Sequence, residues 1–108
     1  MAYDAKLADR IQIHLKGLPF VEKKMFGGVG FLLGGHMACG VYKDDLIVRI
    51  DPAKQNALLK KPHAKVFDIT GKPMKGWLLV EPPGIKTEKH LGAWIKQGVE
   101  FASTLAPK

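Results

Sequence analysis

The sequence predicts a two-layer α+β domain: an antiparallel sheet of about five to six strands with helices on one face. Three observations predict it. Apolar residues recur at helical spacing near both ends of the chain. Between them lie short apolar runs separated by tight turns bearing glycine and aspartate. Those connections are too short for parallel crossovers, so the strands run as an antiparallel meander. The expected order is α-β-β-β-(β)-α-β-β-α, and helices laid over one face of such a sheet close a two-layer domain.

Each element has a local justification. Tyr3 to Lys16 reads as a helix, with Leu7, Ile11 and Leu15 on one stripe and Ala8 beside it. Asp4 suits its N-cap, and Gly17 followed by Pro19 ends it. Val21 to Phe26 reads as a strand that stops at Gly27-Gly28. Val29 to Leu33 is a second strand, and Gly34-Gly35 suits a primed hairpin turn. In the third strand Met37, Cys39 and Val41 alternate with Ala38, Gly40 and Tyr42. Lys43-Asp44-Asp45 turns the chain into a fourth strand, Leu46 to Ile50. Asp51-Pro52 opens a helix that runs to Lys60 or Lys61, since Pro62 disfavours helix in the residue before it. Val66 to Ile69 and Trp77 to Glu81 read as two more strands. Thr87 caps the last helix, with Glu88 in its first turn, and the helix runs to Ala102 or Leu105. Its apolar face is Leu91, Trp94, Ile95, Val99 and Ala102, and Gly98 inside it implies close packing. Phe31, Phe67, Trp77 and Trp94 are expected to fill the layer between helices and sheet.

Composition narrows the class. The chain has 108 residues, 46% hydrophobic and 25% charged, which is ordinary globular usage and fits one domain over 1–108. One cysteine, Cys39, excludes a disulfide framework and a multi-cysteine metal site. No apolar run approaches the roughly 20 residues of a membrane span, and no apolar segment follows a basic start at the N-terminus. A cytoplasmic protein with no membrane contact is expected.

The net charge is +7, and only Arg10 and Arg49 among the 17 basic residues are arginine. The excess concentrates in Lys54, Lys60, Lys61, Lys65, Lys72 and Lys75, with Asp68 as the one acid between Lys54 and Lys75. Such a patch either binds phosphates weakly and without sequence preference or serves as a solvated surface. Two arginines are few for reading bases.

No catalytic constellation is visible. The hydroxyls lack a nucleophile elbow, and Cys39 in an alternating strand reads as a buried, inert thiol. His14, His36, His63 and His90 have no metal-ligand spacing, so neither a metal nor a cofactor is expected. His36 reads as an exposed turn residue and His90 as solvent-facing. Gly27-Gly28-Val29-Gly30 satisfies G-x-x-G but lies between strands and not between helices. Gly71 to Gly76 has the glycine spacing of a phosphate loop, but Trp77-Leu78 follows where Lys-Ser/Thr is required. That loop carries Lys72, Pro73, Met74 and Lys75; Met74 is either tucked into the core or offered as an adaptable contact. Arg49, flanked by Ile47 and Ile50 and on the strand face opposite Val48, either pairs with an acid or holds a carboxylate or phosphate.

The block Lys24-Met25-Phe26-Gly27-Gly28-Val29-Gly30-Phe31, then Met37-Ala38, Leu46-Ile47-Val48-Arg49 and Gly71-Lys72-Pro73-Met74-Lys75-Gly76-Trp77, resembles the N-terminal domain of the TfoX competence regulators. The resemblance runs over nearly the whole chain. It implies a two-layer fold of the kind also seen in secretion chaperones, a bacterial cytoplasmic setting, and regulation of gene expression through other proteins without enzymatic activity. The competence regulators carry a further C-terminal domain, so this chain resembles a short stand-alone member. The family supplies no catalytic residues to carry over; what maps is Lys24, Met25, Phe26, Gly27, Gly28 and Arg49. The leading expectation is a non-enzymatic interaction domain with a protein partner, as monomer or homodimer. The alternatives are a nucleic-acid module using the Lys54–Lys75 patch, or a small-ligand site near Arg49 and the Gly71–Gly76 loop.

Overall fold

The computed structural model describes residues 3–25, 27–68 and 71–106. The chain begins with α1 (Ala5–His14), ten residues long. Asp4 caps it, accepting from the backbone N–H of Lys6 and Leu7 at 2.9 and 3.2 Å. A helix this short is unstable alone. Leu7, Ile11 and the following Leu15 are buried against the sheet, each contributing about 1.5–3 kcal/mol, which is what holds it.

Four strands then run as the expected meander: β1 (Phe20–Met25), β2 (Gly28–Leu33), β3 (His36–Tyr42) and β4 (Asp45–Arg49). A 3-10 turn at Pro52–Lys54, capped by Asp51, leads into α2 (Gln55–Leu59), so the single helix expected there is divided. Two strands follow, β5 (Ala64–Val66) and β6 (Trp77–Val80). A 3-10 turn at Pro82–Ile85 precedes α3 (Glu88–Ser103), where Thr87 accepts from the His90 N–H at 3.2 Å. The sheet is antiparallel throughout, with spatial order β1-β2-β3-β4-β6-β5.

The helices lie on one face, as the sequence predicts. The main core there joins Ile11 of α1 and the following Leu15, Phe31, Val41, Val48 and Leu78 of the sheet, and Leu91 and Ile95 of α3. Gly98 is the point of closest approach: a Cβ there would lie 2.1 Å from the Ala38 carbonyl oxygen. The helix therefore rests directly on the β3 backbone.

Several local expectations are corrected. The strand expected at Val66 to Ile69 lies earlier, at Ala64–Val66, and Ile69 is outside the described residues. His36 is not an exposed turn residue; it is half-buried at the start of β3, with Nε2 2.7 Å from the Ala106 carbonyl oxygen. Met37 does not share a face with Cys39 and Val41. The register slips between Phe31 and Leu32, pairing them with Cys39 and Met37, so Ala38 is an extra residue and Met37 turns to the other face.

That other face is not bare. Met37, Ile47, Phe67 and Leu79 are buried on it, with Met25, Met74 and Trp77 packed beside them. Phe67 and Trp77, expected beneath the helices, lie here with ring centroids 5.7 Å apart. The chain after β5 folds back, Met74 N–H donating to the Phe67 carbonyl at 2.9 Å. Gly30 and Gly40 make room for two methionines. A Cβ on Gly30 would meet the terminal methyls of Met25 and Met37 at 3.1 and 3.0 Å, and one on Gly40 the Met37 methyl at 2.6 Å. At Gly28 a Cβ would lie 2.0 Å from the Val41 carbonyl oxygen. Met25, Gly28 and Gly30 of the Met-x-Gly-Gly-x-Gly block thus act as a packing device, thioether on bare backbone, that lets β2 and β3 close up, while Gly27 answers to its φ of +74°. Phe26 is outside the described residues.

Candidate functional site

The residues singled out by sequence do not converge. Lys24 is exposed on β1, its Nζ 5.5 Å from the centroid of the Tyr3 ring. Arg49 neither pairs with an acid among the described residues nor faces an open anion site. Its guanidinium carbon lies 5.0 Å from the Trp77 ring centroid and 5.6 Å from that of Phe101. Two aromatic faces replace the carboxylate. In the Gly71–Gly76 loop, Lys72, Pro73 and Lys75 are exposed while Met74 is half-buried on the back face. Gly71 and Gly76 have φ of +91° and +89°, and the Gly76 N–H donates to Gln55 Oε1. Their glycines answer to backbone conformation.

The lysine patch is divided. Lys65 points along the sheet to Asp45 at 3.0 Å and Glu81 at 3.7 Å. The hydrogen bond to Asp45 holds its ammonium above the ordinary lysine range. Lys65 is thus charged and paired with two carboxylates, unlike the other lysines of the patch among the described residues. Lys54 and Lys60 are exposed around α2. Lys61 swings over the indole of Trp94, Nζ 5.7 Å from the centroid.

Lys61 marks one concave site among several. Pro62 stops α2, and the chain turns through His63, which sits at φ +69°. Histidine tolerates the left-handed region better than most residues with a side chain. The turn is fixed by the Glu81 N–H donating to the His63 carbonyl at 2.9 Å. The Pro82–Ile85 turn packs directly alongside, since a Cβ on Gly84 would lie 3.0 Å from the His63 Cβ. Opposite stands the first half of α3, where His90, Ala93, Trp94 and Gln97 recur at helical spacing and share one face. Between the turns and this face lie two adjoining hollows of about 90 and 310 Å³ that share Lys61, His90 and Trp94.

The chemistry of this groove is uneven. Its apolar lining is Leu58, Pro62, Pro83, Ala93 and Trp94, and its ionisable lining is Lys61, His63 and His90. None of the lining residues is acidic. It offers an apolar floor with hydrogen-bond donors and positive charge at the rim. Sequence reading missed it because Lys61–His63 and His90–Gln97 are far apart in the chain. The available signal is His90, Trp94 and Gln97 at i, i+4 and i+7, of which sequence assigns Trp94 to the core and His90 to solvent.

Cys39 and the Arg10–Glu88–His14 cluster lie outside this groove. Cys39 is buried, and burial pushes its thiol up to about 12. Glu88 is held below the usual carboxylate range by Arg10, whose Nε donates to it at 2.7 Å, and further by His14 at 3.0 Å. Arg10 also donates to the Ile85 carbonyl at 2.8 Å, so this cluster fastens α1 to the start of α3. Among the described residues, no group of three His, Cys, Asp or Glu side chains is placed to hold a metal ion. Among them too, no helix is long and apolar enough to cross a membrane.

No curated protein and no solved structure matches the chain. A family model, that of the TfoX N-terminal domain, matches residues 15–102, from the end of α1 to the last turn of α3. That span holds the methionine–glycine packing, both faces of the sheet and the groove, and the chain belongs to the TfoX N-terminal domain family.

Proposed function

We propose that this protein is a non-enzymatic interaction domain that takes part in regulating gene expression by holding a protein partner in the groove between α2 and α3. The observation that supports it is the lining of that groove: an apolar floor around Trp94 whose ionisable neighbours, Lys61, His63 and His90, are all basic. The complementary partner is an acidic segment carrying one or two apolar side chains, the apolar part seated on Pro62, Pro83 and Trp94 and the carboxylates at the rim. Exposed Lys54 and Lys60 extend the positive field around α2 and favour encounter with such a segment. Membership of the TfoX N-terminal domain family supports the regulatory setting.

The test is a double variant, Lys61→Glu with His90→Glu, in the source cell. RNA abundance is compared between cells expressing the wild-type chain and cells expressing the variant, with thermal unfolding used to show that the variant folds. The variant is expected to lose the wild-type expression pattern. A folded variant with the wild-type pattern overturns the proposal. So does tight, salt-sensitive binding of duplex DNA by the wild-type chain that the variant loses, which would assign the same rim to phosphates.

A further inference from the structure

β1 forms one edge of the sheet. β1 pairs with β2 and with no other described strand, and its four central residues are exposed. Six residues long, it turns one row of backbone donors and acceptors toward no other described strand, the Phe20 N–H being bonded to the Leu18 carbonyl. The opposite edge, β5, has only three residues, one of them the ion-paired Lys65. Alternation divides the side chains of β1 between two faces. Phe20, Glu22 and Lys24 lie on the helix face, where Glu22 accepts from Gln12 of α1 at 3.0 Å. Val21, Lys23 and Met25 lie on the other, where Met25 packs and Val21 is left 64% exposed.

We propose that β1 pairs antiparallel with β1 of a second copy of this chain, making one continuous sheet across a two-fold axis at Lys23. The charges select this register. An axis normal to the sheet keeps the helix faces of both copies on one side, so paired residues must come from the same face. With the axis at Lys23, Glu22 of each copy faces Lys24 of the other on the helix face, and Val21 faces Met25 on the other. The two ion pairs and two apolar pairs outweigh the single Lys23–Lys23 contact, because each cross-strand pair counts once per copy. Moving the axis to Glu22 sets two glutamates against each other and places Phe20 opposite Lys24. Moving it to Val21 places Phe20 opposite Glu22. Both lose the ion pairs. The pairing covers Val21 and gives the outer backbone row of β1 a partner strand.

Sedimentation velocity over a concentration series tests this. The wild-type chain is expected to reach twice its 11.9 kDa mass as concentration rises. Glu22→Lys alone and Lys24→Glu alone are each expected to raise the dissociation constant by roughly ten-fold or more, since both attractive pairs become repulsive. The double variant Glu22→Lys with Lys24→Glu is expected to restore association, because the pairs return with their signs exchanged. Restoration also shows that the single variants did not act by unfolding the strand. A wild-type chain that stays monomeric at millimolar concentration overturns the proposal. So does a dimer indifferent to the single reversals, or one that the double reversal does not restore.

Discussion

Arg49 shows how a residue that reads as functional is absorbed by structure. A lone arginine in an apolar strand asks for an anion, yet this one is satisfied by two ring faces, Trp77 directly across on β6 and Phe101 on α3. Arginine suits this because its guanidinium is flat and weakly hydrated, so it stacks where an ammonium cannot. Arg49→Ala is therefore expected to destabilise the fold by about 2 kcal/mol, through lost ring contacts and lost stem packing. Arg49→Lys is expected to cost about 1 kcal/mol, since charge remains and stacking does not. Urea unfolding measures both, and an Arg49→Ala protein of unchanged stability would contradict the clamp.

Among the elements, α3 carries the fold's tightest joint. Helix propensity alone says that Gly98→Ala should stabilise α3 by up to about 1 kcal/mol. The contact at the Ala38 carbonyl says the opposite, because backbone cannot move aside as a side chain can. Overpacking is expected to win, with a net loss of about 2 kcal/mol and a melting temperature lower by roughly 10 °C. A thermal melt decides, and a raised melting temperature would contradict the contact. The same elements show what a sequence can carry. Both long helices were legible because Asp4 and Thr87 announce their starts and the apolar stripes fix their buried faces. The hairpins were legible through Gly34-Gly35 and Lys43-Asp44. The back face was not, because Phe67 and Met74 reach it by a non-periodic fold-back after a strand of only three residues. Met37 was misread because a bulge at Ala38 leaves no mark in a polar–apolar pattern. The groove was illegible for a related reason, since its two walls meet only once the sheet places them together.

For the molecule as a whole, the packing that closes the fold and the surfaces proposed for interaction occupy different places. The methionine–glycine block that carries the family resemblance closes β2 onto β3 and covers the back of the sheet. The groove with basic rim lies among the elements on the helix side of the sheet, opposite that packing, and the β1 edge lies at one end of the sheet. The proposed arrangement is a rigid sheet that can join a second copy at its edge and hold a partner beside α3. The most direct measurement is photo-crosslinking in living cells, with a benzophenone-bearing amino acid placed at position 90 in the groove or at position 72 in the exposed loop. The account predicts a covalent adduct with one cellular protein from position 90, lost when Lys61→Glu is added, and none from position 72. An adduct from position 72 with none from position 90, or no adduct from position 90 in cells whose RNA pattern depends on the chain, would contradict it.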